Sequence, residues 1–100
     1  GNARTNYETA RVNAAAGSPV LAELESSLQS ARAKMQQDSV NYTRYKNLWD
    51  NNATSRIELD RATLAYRTSR NDFAALQSRL QRTRTQLQSD LTNARSQYEL

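Results

Sequence analysis

The sequence predicts an all-α fold: a long antiparallel two-helix coiled-coil hairpin, its first arm interrupted near Gly17–Pro19. Three observations predict it. The first is composition. Only 37% of the 100 residues are hydrophobic, with two glycines and one proline. That is too little apolar material for a thick core and too few turn formers for a sheet, but enough for long helices that bury one narrow stripe. The second is periodicity. Apolar residues recur at alternating steps of three and four, the spacing of a coiled-coil seam. The third is mutual register. Trp49 falls opposite Leu59, Tyr42 opposite Tyr66, Met35 opposite Phe73, Leu28 opposite Leu80 and Leu21 opposite Leu87. Every step outward along one arm is matched by an equal step along the other, about a midpoint near residue 54.

The first arm is expected over about residues 3–50. It opens with a stripe of Ala3, Tyr7, Ala10 and Ala14. Gly17-Ser18-Pro19 then supplies a residue suited to a helix end, an N-cap and a first-turn proline, so a break or sharp kink is expected at 17–19. The stripe resumes in phase as Leu21, Leu24, Leu28, Ala31, Met35, Asp38, Tyr42, Tyr45 and Trp49. Asp38 interrupts it and faces Ser69, which places the polar intrusions of both arms in one layer. Asp50-Asn51-Asn52 has the turn-forming chemistry that ends the arm, and the tip is expected at 51–54.

The second arm is expected over about 55–99. Ser55 and Glu58 make the S-x-x-E capping box of a helix start. Its seam runs Leu59, Ala62, Tyr66, Ser69, Phe73, Leu76, Leu80, Thr83 and Leu87, then takes a four-residue step to Leu91, Ala94 and Tyr98. Such a step is a stutter, which relaxes the left-handed supercoil. No Gly or Pro interrupts this arm.

The same residues exclude most chemistry. There is no histidine and no cysteine, so the commonest general base, the thiolate nucleophile and disulfides are all missing. No glycine-rich phosphate loop or hinged cleft is present, and no enzyme activity and no cofactor is expected. Glu58 and Asp60 are close, but at a helix start they complement its dipole. Carboxylates on separate turns do not make a metal cage, so no metal is expected. A net charge of +4 invites a nucleic-acid reading, with Arg79, Arg82 and Arg84 following Arg67 and Arg70. These point around the helix without interleaved aromatics, and no nucleic-acid partner is expected. Neither arm carries the broad apolar face of a lipid-surface helix, and no apolar run is long enough to cross a bilayer.

What remains is protein contact. A two-helix seam cannot bury both Leu48 and Trp49, because neighbours on a helix diverge by about 100°. Val12, Val20, Val40, Ile57 and Leu64 also fall off the stripe. Scattered surface apolars are normal, but a thin hairpin that exposes them suits lateral packing or docking at its tip.

The tip carries Arg44, Leu48 and Ser55 in an R-x3-L-x6-S pattern, continued by Asp60 and Ala62 as S-x4-D-x-A. From the chain's content of Arg, Leu and Ser, the triple alone arises by chance about 0.1 times. The pattern resembles the tip motif of HlyD-like periplasmic adaptors, or membrane fusion proteins, that work with TolC-type outer-membrane channels. The resemblance covers residues 44–62 specifically and the rest in texture.

It implies a periplasmic hairpin whose parent is anchored to the inner membrane of a Gram-negative bacterium. The expected partners are a TolC-type channel, an inner-membrane transporter of resistance or secretion type, and neighbouring hairpins in a homo-oligomer. Arg44 would donate hydrogen bonds to the channel, Leu48 would fill an apolar groove, and Ser55 would cap the second helix and offer its hydroxyl. The lipoyl-like and β-barrel domains of such adaptors are absent from these residues, so an excised hairpin is expected. The alternative is a generic structural coiled coil, acting as spacer or dimerisation rod.

Overall fold

The computed structural model describes residues 2–15 and 19–99, with side chains at 3–9 and 19–98. Three helices follow in order: α1 (Asn2–Ala15), α2 (Pro19–Asp50) and α3 (Arg56–Glu99). Outside the connection at 51–55, every described residue is helical, so the fold is all-α as the composition and periodicity require. The expected break at Gly17-Ser18 lies outside the described residues. Pro19 is the first residue of α2, where a missing N–H and a fixed φ carry no penalty. The chain falls into two compact units, one of Ser27–Gln77 and the other of Gly1–Ser26 with Ser78–Leu100.

The Ser27–Gln77 unit contains the turn. Here α2 and α3 run antiparallel, and Tyr42 stacks on Tyr66 with ring centroids 5.7 Å apart. That is the facing pair expected from the common midpoint. The seam between them holds Leu28, Ala31, Met35, Tyr45, Leu59, Phe73 and Leu76, all half-buried, and the buried Ala62. Guanidinium groups shield its aromatic edge, Arg32 lying 5.4 Å from the Phe73 ring centroid and Arg70 lying 5.5 Å from that of Tyr66. Such stacks keep the arginine head wet while its stem covers apolar surface.

The polar layer lies within this unit. Asp38 is 7% exposed and Ser69 3% exposed, more deeply covered than most of their apolar neighbours. Lys34, one turn earlier on α2, places its Nζ 3.2 Å from Asp38 Oδ2 and carries its own charge out to water. The Ser69 hydroxyl donates to the Tyr66 carbonyl at 3.2 Å. Among the described residues no buried side-chain nitrogen or oxygen lacks a partner, which is what makes a polar layer tolerable inside an apolar seam.

In the other unit, Leu21 and Leu24 of α2 and Leu80 and Ala94 of α3 are buried. Arg84 Nη2 pairs with Glu25 Oε1 at 2.7 Å across the two helices. The stutter is visible in the burial. A strict heptad from Leu87 would bring Asp90 into the seam, yet Asp90 is exposed and accepts from Gln86 Nε2 at 2.9 Å. Leu91 is half-buried instead, so the four-residue step keeps the stripe inward before it reaches the buried Ala94. Helix α1 lies beside the end of α3, with Tyr7 stacked on Tyr98 at 5.5 Å and 6° between ring planes.

Candidate functional site

The site is built at the turn, and backbone chemistry sets its shape. Helix α2 ends at Asp50 with its last carbonyls short of partners, as every helix end is. Asn52 takes φ 57°, the left-handed conformation that asparagine tolerates better than most residues. This reverses the chain and turns two N–H groups back onto the helix. Asn52 N–H donates to the Trp49 carbonyl at 3.0 Å, and Ala53 N–H to the Leu48 carbonyl at 2.7 Å. The pair constitutes a Schellman motif with asparagine in the place usually held by glycine. The Asn51 amide adds a bond from Nδ2 to the Asn47 carbonyl at 2.8 Å.

The second helix starts as its capping signature requires. Ser55 Oγ accepts from Glu58 N–H at 3.2 Å, and the Ser55 carbonyl accepts from Leu59 N–H at 3.2 Å. Ser55 is thus the N-cap and Arg56 the first helical residue. Glu58 lies in the first turn, where its charge favours the helix dipole.

The three motif residues come to this same end of the Ser27–Gln77 unit. Arg44 and Leu48 occupy the final two turns of α2 on one face, being four residues apart. Arg44 is exposed and makes no ion pair among the described residues. Leu48 is half-buried, with its carbonyl engaged in the Schellman bond. Ser55 is exposed, and its hydroxyl is used by the cap.

The other charges nearby are paired locally. Lys46 Nζ lies 2.8 Å from Asp50 Oδ1, and Arg56 Nε 3.2 Å from Asp60 Oδ1. The hydrogen bond to Asp50, reinforced by its charge, raises the Lys46 pKa above the ordinary lysine value. Such i,i+4 pairs stiffen the two helix ends and occupy Lys46 and Arg56, while Arg44 and Arg61 make no ion pair among the described residues.

One seam position differs from expectation. Trp49 was expected to close the seam opposite Leu59, but it is 36% exposed while Leu48 is half-buried. The turn explains this: the last layer has no further layer beyond it, so both residues share the end of the stripe. The Trp49 ring is covered instead by Arg56, whose guanidinium carbon lies 5.8 Å from the ring centroid. Periodicity gave no hint of this pair, because contacts across a turn follow no fixed sequence offset.

The flank of the Ser27–Gln77 unit also has an open groove of about 480 Å³ beside Ala31, Lys34, Ser69, Asp72 and Leu76. No group of three or more carboxylates that could hold a metal occurs among the described residues. No described helix is long and apolar enough to cross a membrane.

The family model for the α-helical hairpin domain of RND membrane fusion proteins matches residues 20–89, and the chain belongs to this family. The match takes in the turn, the polar layer and most of the two helices that flank them. Hairpins of this family are periplasmic parts of adaptors that assemble with an inner-membrane transporter and an outer-membrane channel. No curated protein and no solved structure matches the chain.

Proposed function

We propose that this hairpin is the channel-facing part of an RND-type periplasmic adaptor. Its apex docks on the periplasmic end of a TolC-type outer-membrane channel through Arg44, Leu48 and Ser55. The observation that carries this reading is the coincidence of the R-x3-L-x6-S pattern with the chain reversal, together with an Arg44 that no neighbouring carboxylate engages. A guanidinium left free at an apex offers its full fork of donors to carbonyls or carboxylates of a partner. Leu48 supplies an adjacent apolar contact one turn along, and Ser55 fixes the start of α3 so that both faces of the apex hold their positions.

The family narrows the inner-membrane partner from the two transporter types considered above to an RND pump. In the parent adaptor, the lipoyl-like and β-barrel domains would flank the hairpin, arm one spanning about 3–50 and arm two about 55–99. Val40, Ile57 and Leu64 are at least 60% exposed on the outward sides of the helices. They suit lateral contact between neighbouring hairpins in a homo-oligomer.

The test replaces Arg44 with Ala and Leu48 with Ala in the full-length adaptor, and measures affinity for the purified channel alongside export. Each substitution should weaken docking by about 10- to 100-fold, the range of a central interface anchor. Helical content, read by circular dichroism, should stay unchanged. Folded variants that bind and export normally would overturn the assignment and leave the hairpin a spacer.

A further inference from the structure

We propose that Trp49, Arg56 and Asp60 form a clasp across the turn, a positioning device that sets how the ends of α2 and α3 present the docking residues. Its functional consequence rests on the docking reading above; its structural content does not. Trp49 is anchored twice. Its carbonyl accepts the Asn52 N–H inside the Schellman motif at 3.0 Å, and its ring is covered by Arg56 of the opposite helix at 5.8 Å. Arg56 is itself oriented from behind, because Asp60 Oδ1 lies 3.2 Å from its Nε. A carboxylate at Nε holds the guanidinium plane and leaves its face for the indole.

On the α2 side the nearby carboxylate, Asp50, is already engaged by Lys46 at 2.8 Å. Arg56 takes its carboxylate partner from its own helix and its stacking partner from α2. Lys46–Asp50 and Arg56–Asp60 each stiffen one helix, whereas the Trp49–Arg56 stack joins the two. Five residues separate α2 from α3, and a link of that length permits many angles between helix ends. A stack beside the turn removes much of that freedom. Arg44 and Leu48 belong to α2 and Ser55 to the start of α3, so their relative placement depends on the angle the clasp restrains. An indole is also the strongest ring partner for a cation among the aromatic side chains, which gives tryptophan a purpose at a position only partly buried.

Trp49 is the chain's only tryptophan, so its fluorescence reports the clasp directly. In the full-length adaptor, single substitutions Arg56→Gln and Arg56→Lys are compared with the parent sequence, with Trp49 emission corrected for any tryptophan elsewhere by a Trp49→Phe control. Arg56→Gln should shift the Trp49 emission to the red and raise its quenching by acrylamide. It should weaken channel docking by about 2- to 5-fold, the range of an exposed cation–π contact. Arg56→Lys, which keeps the cation, should restore much of both effects. Unchanged emission and quenching in Arg56→Gln would overturn the clasp, whatever docking does. Altered emission with unchanged docking would overturn its positioning role and leave the Arg44 assignment standing. Failure of the Arg44 test would remove the docking reading without touching the fluorescence result.

Discussion

Asn52 is where the two helices become a hairpin, and its backbone makes a quantitative prediction. The φ of 57° is a conformation that costs an ordinary L-residue about 1–2 kcal/mol, because Cβ crowds the following carbonyl. Asparagine lowers that penalty by local hydrogen bonding. Glycine would remove it, but loses about 0.5–1 kcal/mol more backbone entropy on folding, so Asn52→Gly should be close to neutral. Asn52→Val has no such compensation and is stiffened further by its branched Cβ. Keeping both Schellman bonds, from Asn52 N–H to Trp49 and from Ala53 N–H to Leu48, obliges valine to accept the strain. The expected loss is about 1–2 kcal/mol, which for a chain of this size lowers the melting temperature by roughly 4–16 °C. Thermal unfolding followed by far-ultraviolet circular dichroism measures it. If Asn52→Val melts with the parent sequence, the left-handed residue does not set the turn and the account of the apex is wrong.

Two further outcomes follow from burial and charge. Leu80 is 5% exposed and Leu64 64% exposed, so urea denaturation should separate their alanine variants sharply. Leu80→Ala should cost about 2–3 kcal/mol because a one-layer seam relaxes around the gap, whereas Leu64→Ala should stay within about 0.5 kcal/mol. Equal effects would refute the seam. Lys46 has its pKa raised by the Asp50 hydrogen bond, so its contribution is complete at neutral pH, below the unfolded value of 10.5. That contribution is lost as the pH climbs through the folded value. Melting temperature should therefore fall more steeply above pH 10.5 in the parent than in Lys46→Gln. Identical alkaline slopes would show that the pair does not act in solution.

Much of this was legible before any coordinates because helices repeat. The alternation of three and four residues placed Tyr42 against Tyr66, the stutter predicted that Leu91 rather than Asp90 turns inward, and S-x-x-E located the cap at Ser55. The facing of Asp38 and Ser69 followed from register alone, and both are buried. Legibility stopped where repetition did. Asn51 and Asn52 announce a turn equally well, and composition cannot choose which adopts positive φ. The sharing of the last layer by Leu48 and Trp49 depends on how the helices end, and the Arg56 stack depends on the path of the link between them. Both are tertiary facts with no period to read.

The buried Asp38–Ser69 layer also works as an indexing pin. Sliding α3 along α2 by one heptad would keep most apolar side chains facing apolar side chains, so the seam alone tolerates the error. It would, however, set the Asp38 carboxylate against Leu76 or Ala62, and strand Ser69 opposite Ala31 or Tyr45. A charge facing hydrocarbon is heavily penalised, and a single polar position is enough to choose between otherwise equivalent alignments. The location of the bend is thus decided well down the shaft, so that residues 44 to 55, and no others, arrive at its end.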